Sequence, residues 1–173
     1  MVTIDDSLFC ILFSSLDGLR CNRLVYYIYL FQLAGLDFEF RYKISPSGLN
    51  CVSLDKYLSN LVSDGKLIIN DDGYQRLTKS GYFYVCDTLL RYNEYEFFTK
   101  SKLMLDKLSD DELFFVCISD IIISDVLKRY GYDGLVKQRD KIMVTLSNLS
   151  CEFSDDNLDS AMKICKHFKE GLK

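Results

Sequence analysis

The stretch Leu24-Val25-Tyr26-Tyr27-Ile28-Tyr29-Leu30-Phe31 constrains this chain most, because eight consecutive apolar or aromatic residues leave no face for water. With its flanks it predicts a helix over residues 20–34, ended by Gly35 in the left-handed position after the last turn. A helix that is apolar all the way round must be enclosed on several sides. A second such run covers residues 113–123, broken by Ser119 and Asp120. Both fall short of the roughly 20 residues a membrane-crossing helix needs, so no membrane partner is expected. The rest of the 173 residues has to wrap these helices, and 49% hydrophobic residues against 27% charged supply a core and exclude disorder.

A single proline, Pro46, leaves the chain free to be mostly helical, while 12 Tyr and 12 Phe exceed what a core of this size comfortably hides. Surplus rings mark partner surfaces as well as cores. Tyr26, Tyr27, Tyr29, Phe114 and Phe115 are the candidate partner contacts, for a larger protein or a second copy of the chain.

Asp5 or Asp6 caps a first helix to about Phe13, and Asp17-Gly18 breaks it. Phe38-Glu39-Phe40-Arg41-Tyr42-Lys43-Ile44 alternates apolar with charged residues, which predicts a strand wet on one face, followed by the turn Ser45-Pro46-Ser47-Gly48. Ser53 caps a helix that carries Leu54, Tyr57, Leu58 and Leu61 and stops at Gly65. Residues 67–69 and 74–77 read as short strands around the Asp71-Asp72-Gly73 turn. Helices follow over 79–91, capped by Thr78, and over 92–108. Ser109-Asp110-Asp111-Glu112 is a capping box for a long helix ending near Gly131. Asp133-Gly134 turns the chain into a helix over 135–147, and Ser154 opens the last. The expected fold is mainly α with a small β element. It is a winged helix-turn-helix over residues 1–93 and a C-terminal helical extension over 94–173, as one folded unit.

A winged helix suggests DNA binding through the helix over 53–64. Charge speaks against it: Asp55, Lys56, Asp64 and Lys66 cancel, and the hairpin tip presents Asp71-Asp72 where phosphates would lie. The candidate nucleic-acid contacts are Arg20, Arg23, Arg41 and Lys43, with Arg76 and Lys79 beside the wing. The formal charge of -4 adds no bulk attraction to a polyanion.

No catalytic, cofactor or metal site is expected. The only histidine, His167, lies two positions from Cys165 on a helix, so the two point apart. Asp110, Asp111 and Glu112, like Asp155 and Asp156, sit at helix starts, where the helix dipole accounts for them. Neither GxGxxG nor GxxxxGK[ST] occurs. The seven cysteines are odd in number and unclustered, and the N-terminus has two acids and no basic segment. Free thiols in a reducing cytoplasm are the expectation. Asp120, inside an apolar helix, needs solvent, a basic partner or an interface.

Several stretches resemble the small bacterial YwgA-like family, related to the SocA-like (Panacea-related) antitoxin domains. Arg20-Cys21-Asn22-Arg23-Leu24-Val25-Tyr26-Tyr27 and Gly35-Leu36-Asp37 match its basic-start helix and following "GL". Leu61-Val62-Ser63-Asp64-Gly65-Lys66-Leu67-Ile68 is similar to its "LVxxGLI" piece, and Gly73-Tyr74-Gln75-Arg76-Leu77-Thr78-Lys79-Ser80-Gly81 to its "GYRLTEKG" wing. Phe153-Ser154-Asp155-Asp156-Asn157-Leu158 resembles its "FSDEEI" opening, whereas Ser45-Pro46-Ser47 departs from its "YGPYS" turn. The resemblance implies an antitoxin, a regulator or a small component of a phage-defence operon, with no catalytic residues to carry over. The expected function is a non-enzymatic accessory or adaptor subunit that binds a toxin, nuclease or ATPase subunit. The alternative is a sequence-specific DNA-binding regulator.

Overall fold

A computed structural model describes residues 12, 18–35, 40–45, 47–87, 92–149 and 154–171. The expected first helix apart from Leu12, the Phe38-Glu39 start of the expected strand, and residues 88–91 lie outside the described residues.

The elements are β1 (Leu19–Arg20), α1 (Cys21–Leu33), β2 (Lys43–Ser45), β3 (Gly48–Asn50), α2 (Val52–Ser63), β4 (Leu67–Ile69), β5 (Tyr74–Leu77), α3 (Lys79–Asp87), α4 (Tyr92–Leu105), α5 (Asp110–Lys137), α6 (Arg139–Leu149) and α7 (Asp155–Glu170). The chain is mainly helical, with a small antiparallel sheet and a helical C-terminal stretch, as its sequence predicts. The sheet has the order β1-β5-β4, with Leu19 opposite Gln75 and Leu67 opposite Leu77. Its inner face buries Leu19, Leu67, Gln75 and Leu77, and its outer face shows Arg20, Ile68 and Arg76.

The local signals work through identifiable atoms. In the α5 capping box the Glu112 amide donates to Ser109 Oγ (3.2 Å) and the Ser109 amide to Glu112 Oε2 (2.7 Å). Ser154 and Asn157 repeat the arrangement at α7. Thr78 Oγ1 accepts from the Gly81 amide at 3.1 Å and donates to the Gly65 carbonyl at 2.6 Å, which ties the start of α3 to the end of α2.

Three boundaries differ from expectation. The alternating segment forms a strand only at Lys43–Ser45, paired with Gly48–Asn50; Pro46 of the expected turn lies outside the described residues. At Tyr42 the alternation reflects burial rather than pairing, since its ring meets Tyr29 edge-on at 5.0 Å. α2 starts at Val52 with Cys51, not Ser53, at the cap and no side-chain hydrogen bond there. The long helix passes through Gly131, whose φ of 66° and ψ of -171° kink it, and resumes. A Cβ at Gly134 would collide with the Tyr130 side chain, so the return needs a glycine there.

Every residue from Leu24 to Phe31 is buried. α5, α7 and the β2–β3 hairpin pack around α1. Phe31 sits at the centre of a ring cluster, 4.9 Å from Phe98, 5.2 Å from Phe168 and 6.2 Å from Phe97. One core contains residues of both the sheet-bearing part and the helical extension. Replacing Phe31 by Ala removes a ring packed on three sides and is expected to cost about 3–5 kcal/mol in urea unfolding. Val52→Ala, at a position 76% exposed, serves as the control and changes stability by less than about 0.5 kcal/mol.

Candidate functional site

The five rings assigned to a partner surface are all inside the molecule: Tyr26, Tyr27, Tyr29, Phe114 and Phe115 are at most 8% exposed. This corrects the expectation. The two apolar helices enclose each other, with Tyr26 against Phe114 at 6.0 Å. Their hydroxyls are spent internally as well. Tyr27 donates to Asp106 Oδ1 (2.7 Å), which in turn sits beside Lys102, and Tyr29 donates to Asp120 Oδ2 (2.8 Å).

Of the six basic candidates, Arg23 is withdrawn from any ligand. It pairs with Asp110 at 2.7 Å, donates to the Leu105 and Leu108 carbonyls at 3.0 and 2.8 Å, and lies over the Tyr27 ring. It therefore caps the end of α4 and fastens it to α1. Arg20 covers the Tyr74 ring at 5.2 Å, with Arg76 on the same outer face of the sheet. Arg41, Lys43, Arg76 and Lys79 are exposed. The exposed face of α2 bears Asp55 and Lys56, whose charges cancel.

Asp120 finds its basic partner within the chain. Its side chain is 4% exposed and accepts from Lys169 Nζ at 2.5 Å as well as from Tyr29. Burial and the neighbouring carboxylate hold the Tyr29 hydroxyl protonated far above the ordinary tyrosine range. Burial, helped by Asp120, pushes the Cys165 thiol up to about 12, and burial raises Cys117 well above its usual value. His167 stacks on Phe97 at 5.5 Å and shares a 3.0 Å hydrogen bond with Ser101, facing away from the buried Cys165. Cys21, Cys51, Cys117 and Cys165 are free thiols; Cys10 and Cys151 lie outside the described residues, as does the Cys86 side chain.

Asp120 and Lys169 stand at one end of a cavity of about 390 Å³ between α5 and α7, walled by Ile123, Leu127 and Met162. Ser119 also lines it, and its hydroxyl is buried and without a hydrogen-bond partner. A second cavity of about 230 Å³, between the end of α5, α6 and α7, shares Ile123 and Met162 with the first and is bordered by Tyr132, Val136 and Arg139. Tyr132 and Val136 are 73% and 62% exposed, and Tyr130 is also open to solvent. Around them residues 128–141 carry Lys128, Arg129, Lys137, Arg139 and Lys141 against Asp133 and Asp140. A locally basic corner thus stands on an acidic chain. The run Tyr130-Gly131-Tyr132-Asp133-Gly134 was the sequence signal for it, since glycines that break a helix leave the adjoining rings unpacked.

Among the described residues no cluster of three or more His, Cys, Asp or Glu is placed to hold a metal ion, and no helix is long and apolar enough to cross a membrane. Comparison with protein-family models, curated proteins and solved structures finds no match.

Lys169→Met leaves a buried carboxylate with the Tyr29 hydroxyl as its remaining partner. Because Lys169 is itself half-exposed, the expected loss is about 1–3 kcal/mol by chemical denaturation. Adding Asp120→Asn restores at least about 1 kcal/mol if the loss is the orphaned charge. The thiols set a pH dependence of their own. An ordinary thiol releases its proton near 9.0, whereas folded Cys165 holds it to about 12. Their contribution is therefore complete below about pH 9 and is lost as pH rises toward 12. The melting temperature followed by circular dichroism should fall between about pH 9 and about pH 12. The fall should be smaller in Cys165→Ala.

Proposed function

We propose that this protein is a non-enzymatic accessory subunit whose basic, aromatic corner at residues 128–141 receives an acidic amphipathic segment of a larger protein. The supporting observation is the exposure of Tyr132 and Val136 over an apolar cavity bordered by Arg139. Exposed aromatic and aliphatic side chains beside a preformed hollow are the material of a docking hot spot. Arg129 is paired with Asp125 and Arg139 with Asp159, so Lys128, Lys137 and Lys141 against Asp133 and Asp140 leave a small positive excess, which favours an acidic occupant. The buried rings of α1 have no part in this docking. The operon setting implied by the family resemblance, phage defence or a toxin–antitoxin pair, belongs to the same proposal.

The sheet-bearing part serves in this reading as a winged-helix scaffold. Its support is the strand order β1-β5-β4, in which the strand before α1 closes the edge of the hairpin that follows α2. The alternative, a winged-helix DNA-binding regulator, draws on Arg20 and Arg76 flanking Tyr74 on the outer sheet face. Asp71 and Asp72, exposed at the hairpin tip, weigh against it.

Co-expression with the products of neighbouring genes, followed by size-exclusion chromatography with light scattering, tests the reading. A stable complex is expected. Tyr132→Glu and Val136→Glu should each weaken it at least tenfold at unchanged melting temperature, since both side chains stand in solvent. A chain that stays alone beside every neighbouring product, or a complex indifferent to both substitutions, overturns it. A gel shift on its own promoter that appears at low salt and fades steeply with added salt would favour the DNA reading instead.

A further inference from the structure

The α5–α7 cavity differs from the docking corner in one respect: its wall includes a buried hydroxyl that is unsatisfied. Ser119 is 1% exposed, lines the cavity, and its hydroxyl has no hydrogen-bond partner. A buried hydroxyl left unpaired is unfavourable, so a ligand that pairs it recovers that cost. The other wall groups are Ile123, Leu127, Met162 and the buried Cys165, which offer apolar contact. The volume of about 390 Å³ lies at the small end of the range for ligand pockets. At about 30 Å³ for each water-sized group it has room for roughly thirteen methylene-like units, enough for a ten-carbon chain.

The sign of the ligand's head follows from the charges around the cavity. Lys163, Lys166 and Lys169 recur at intervals of three along α7, against Asp120 and Glu170. Asp120 is already served by Tyr29 and Lys169, and Glu170 faces Lys166 at 4.0 Å. Lys163 makes no ion pair among the described residues. An ammonium carries three N–H donors, and Lys169 commits one to Asp120. A carboxylate can therefore accept from Lys169 and from Ser119 while the Asp120 pair stays intact. A cationic head would instead meet Lys169 as a like charge or have to evict it, stripping a buried carboxylate of its counter-ion.

We propose that this cavity binds a small amphiphilic carboxylate, with an apolar body of about ten carbons against Ile123, Leu127 and Met162 and its head on Ser119 and Lys169. The inference does not depend on the docking corner and is tested without any protein partner.

Isothermal titration of the full chain with decanoate, decanol and decylammonium, all below their micellar concentrations, reads the preference directly. Decanoate is expected to bind with a dissociation constant below about 1 mM and at least about tenfold more tightly than decylammonium, with decanol between them. Ser119→Ala separates a ligand role from a structural one. It removes an unpaired hydroxyl, so the free protein should keep or raise its melting temperature, yet decanoate affinity should fall roughly three- to tenfold. Lys163→Gln combined with Lys166→Gln, both exposed, should weaken decanoate and leave decanol unchanged. The proposal is overturned by decylammonium binding as tightly as decanoate, by no decanoate binding below about 1 mM, or by Ser119→Ala binding decanoate as the parent does.

Discussion

Enclosing a helix with no polar face is the constraint on which the rest of this structure depends. α1 is buried from Leu24 to Phe31, so neighbours must cover it on all sides. β1 and the β2–β3 hairpin contribute one side, but the largest cover comes from α5 and α7, far along the chain. The core is consequently continuous across both halves. Polar atoms at the margin of α1 then fix its neighbours in place: Arg23 reaches the end of α4, Tyr27 reaches Asp106, and Tyr29 reaches Asp120. Each of these bonds joins residues some eighty to ninety positions apart, so apolar burial supplies the association and directional bonds supply the register.

Much of this was legible in the sequence wherever a single short-range rule governs. Ser109 with Glu112 and Thr78 before Lys79 mark helix starts because the capping atoms lie within three residues of one another. The Asp71-Asp72-Gly73 turn sits where expected between β4 and β5. Ser53 was misleading because the α2 cap lacks any side-chain hydrogen bond, leaving composition no atom to detect. The alternation around Tyr42 was misread in another way, since period-two burial arises from ring packing on α1 as readily as from strand pairing.

The candidate site was less legible, for a definite reason. Counting rings identifies how much aromatic surface a chain has, not which part its own helices cover. Tyr26 and Phe114 were assigned to a partner when they are each other's partner, and that pairing spans a separation no local pattern encodes. Tyr132 and Val136, set among charged residues and glycines, carry no periodic signal, yet they are among the large apolar side chains left in solvent. Asp120 was the exception. A carboxylate within an apolar helix announces a need for donors, and the fold answers it with one from α1 and one from α7.

That answer also explains why the two cavities along α7 differ in character. At Asp120 three elements converge on one carboxylate, and moving α7 away would strand its charge in the core. The α5–α7 opening is therefore held at a set width at this end, a requirement for a site that recognises a small molecule by shape and one polar head. Beyond Gly131 the restraint is of another kind. The kink turns the last segment of α5 onto α6, and the nearby ion pair, Arg139 with Asp159, is solvent-exposed on both sides. Exposed pairs contribute little to rigidity, so this corner can adjust to a docking segment at small cost. A molecule with one buried, three-way electrostatic joint and one loosely fastened corner is stiff at the proposed ligand cavity and compliant at the proposed docking corner.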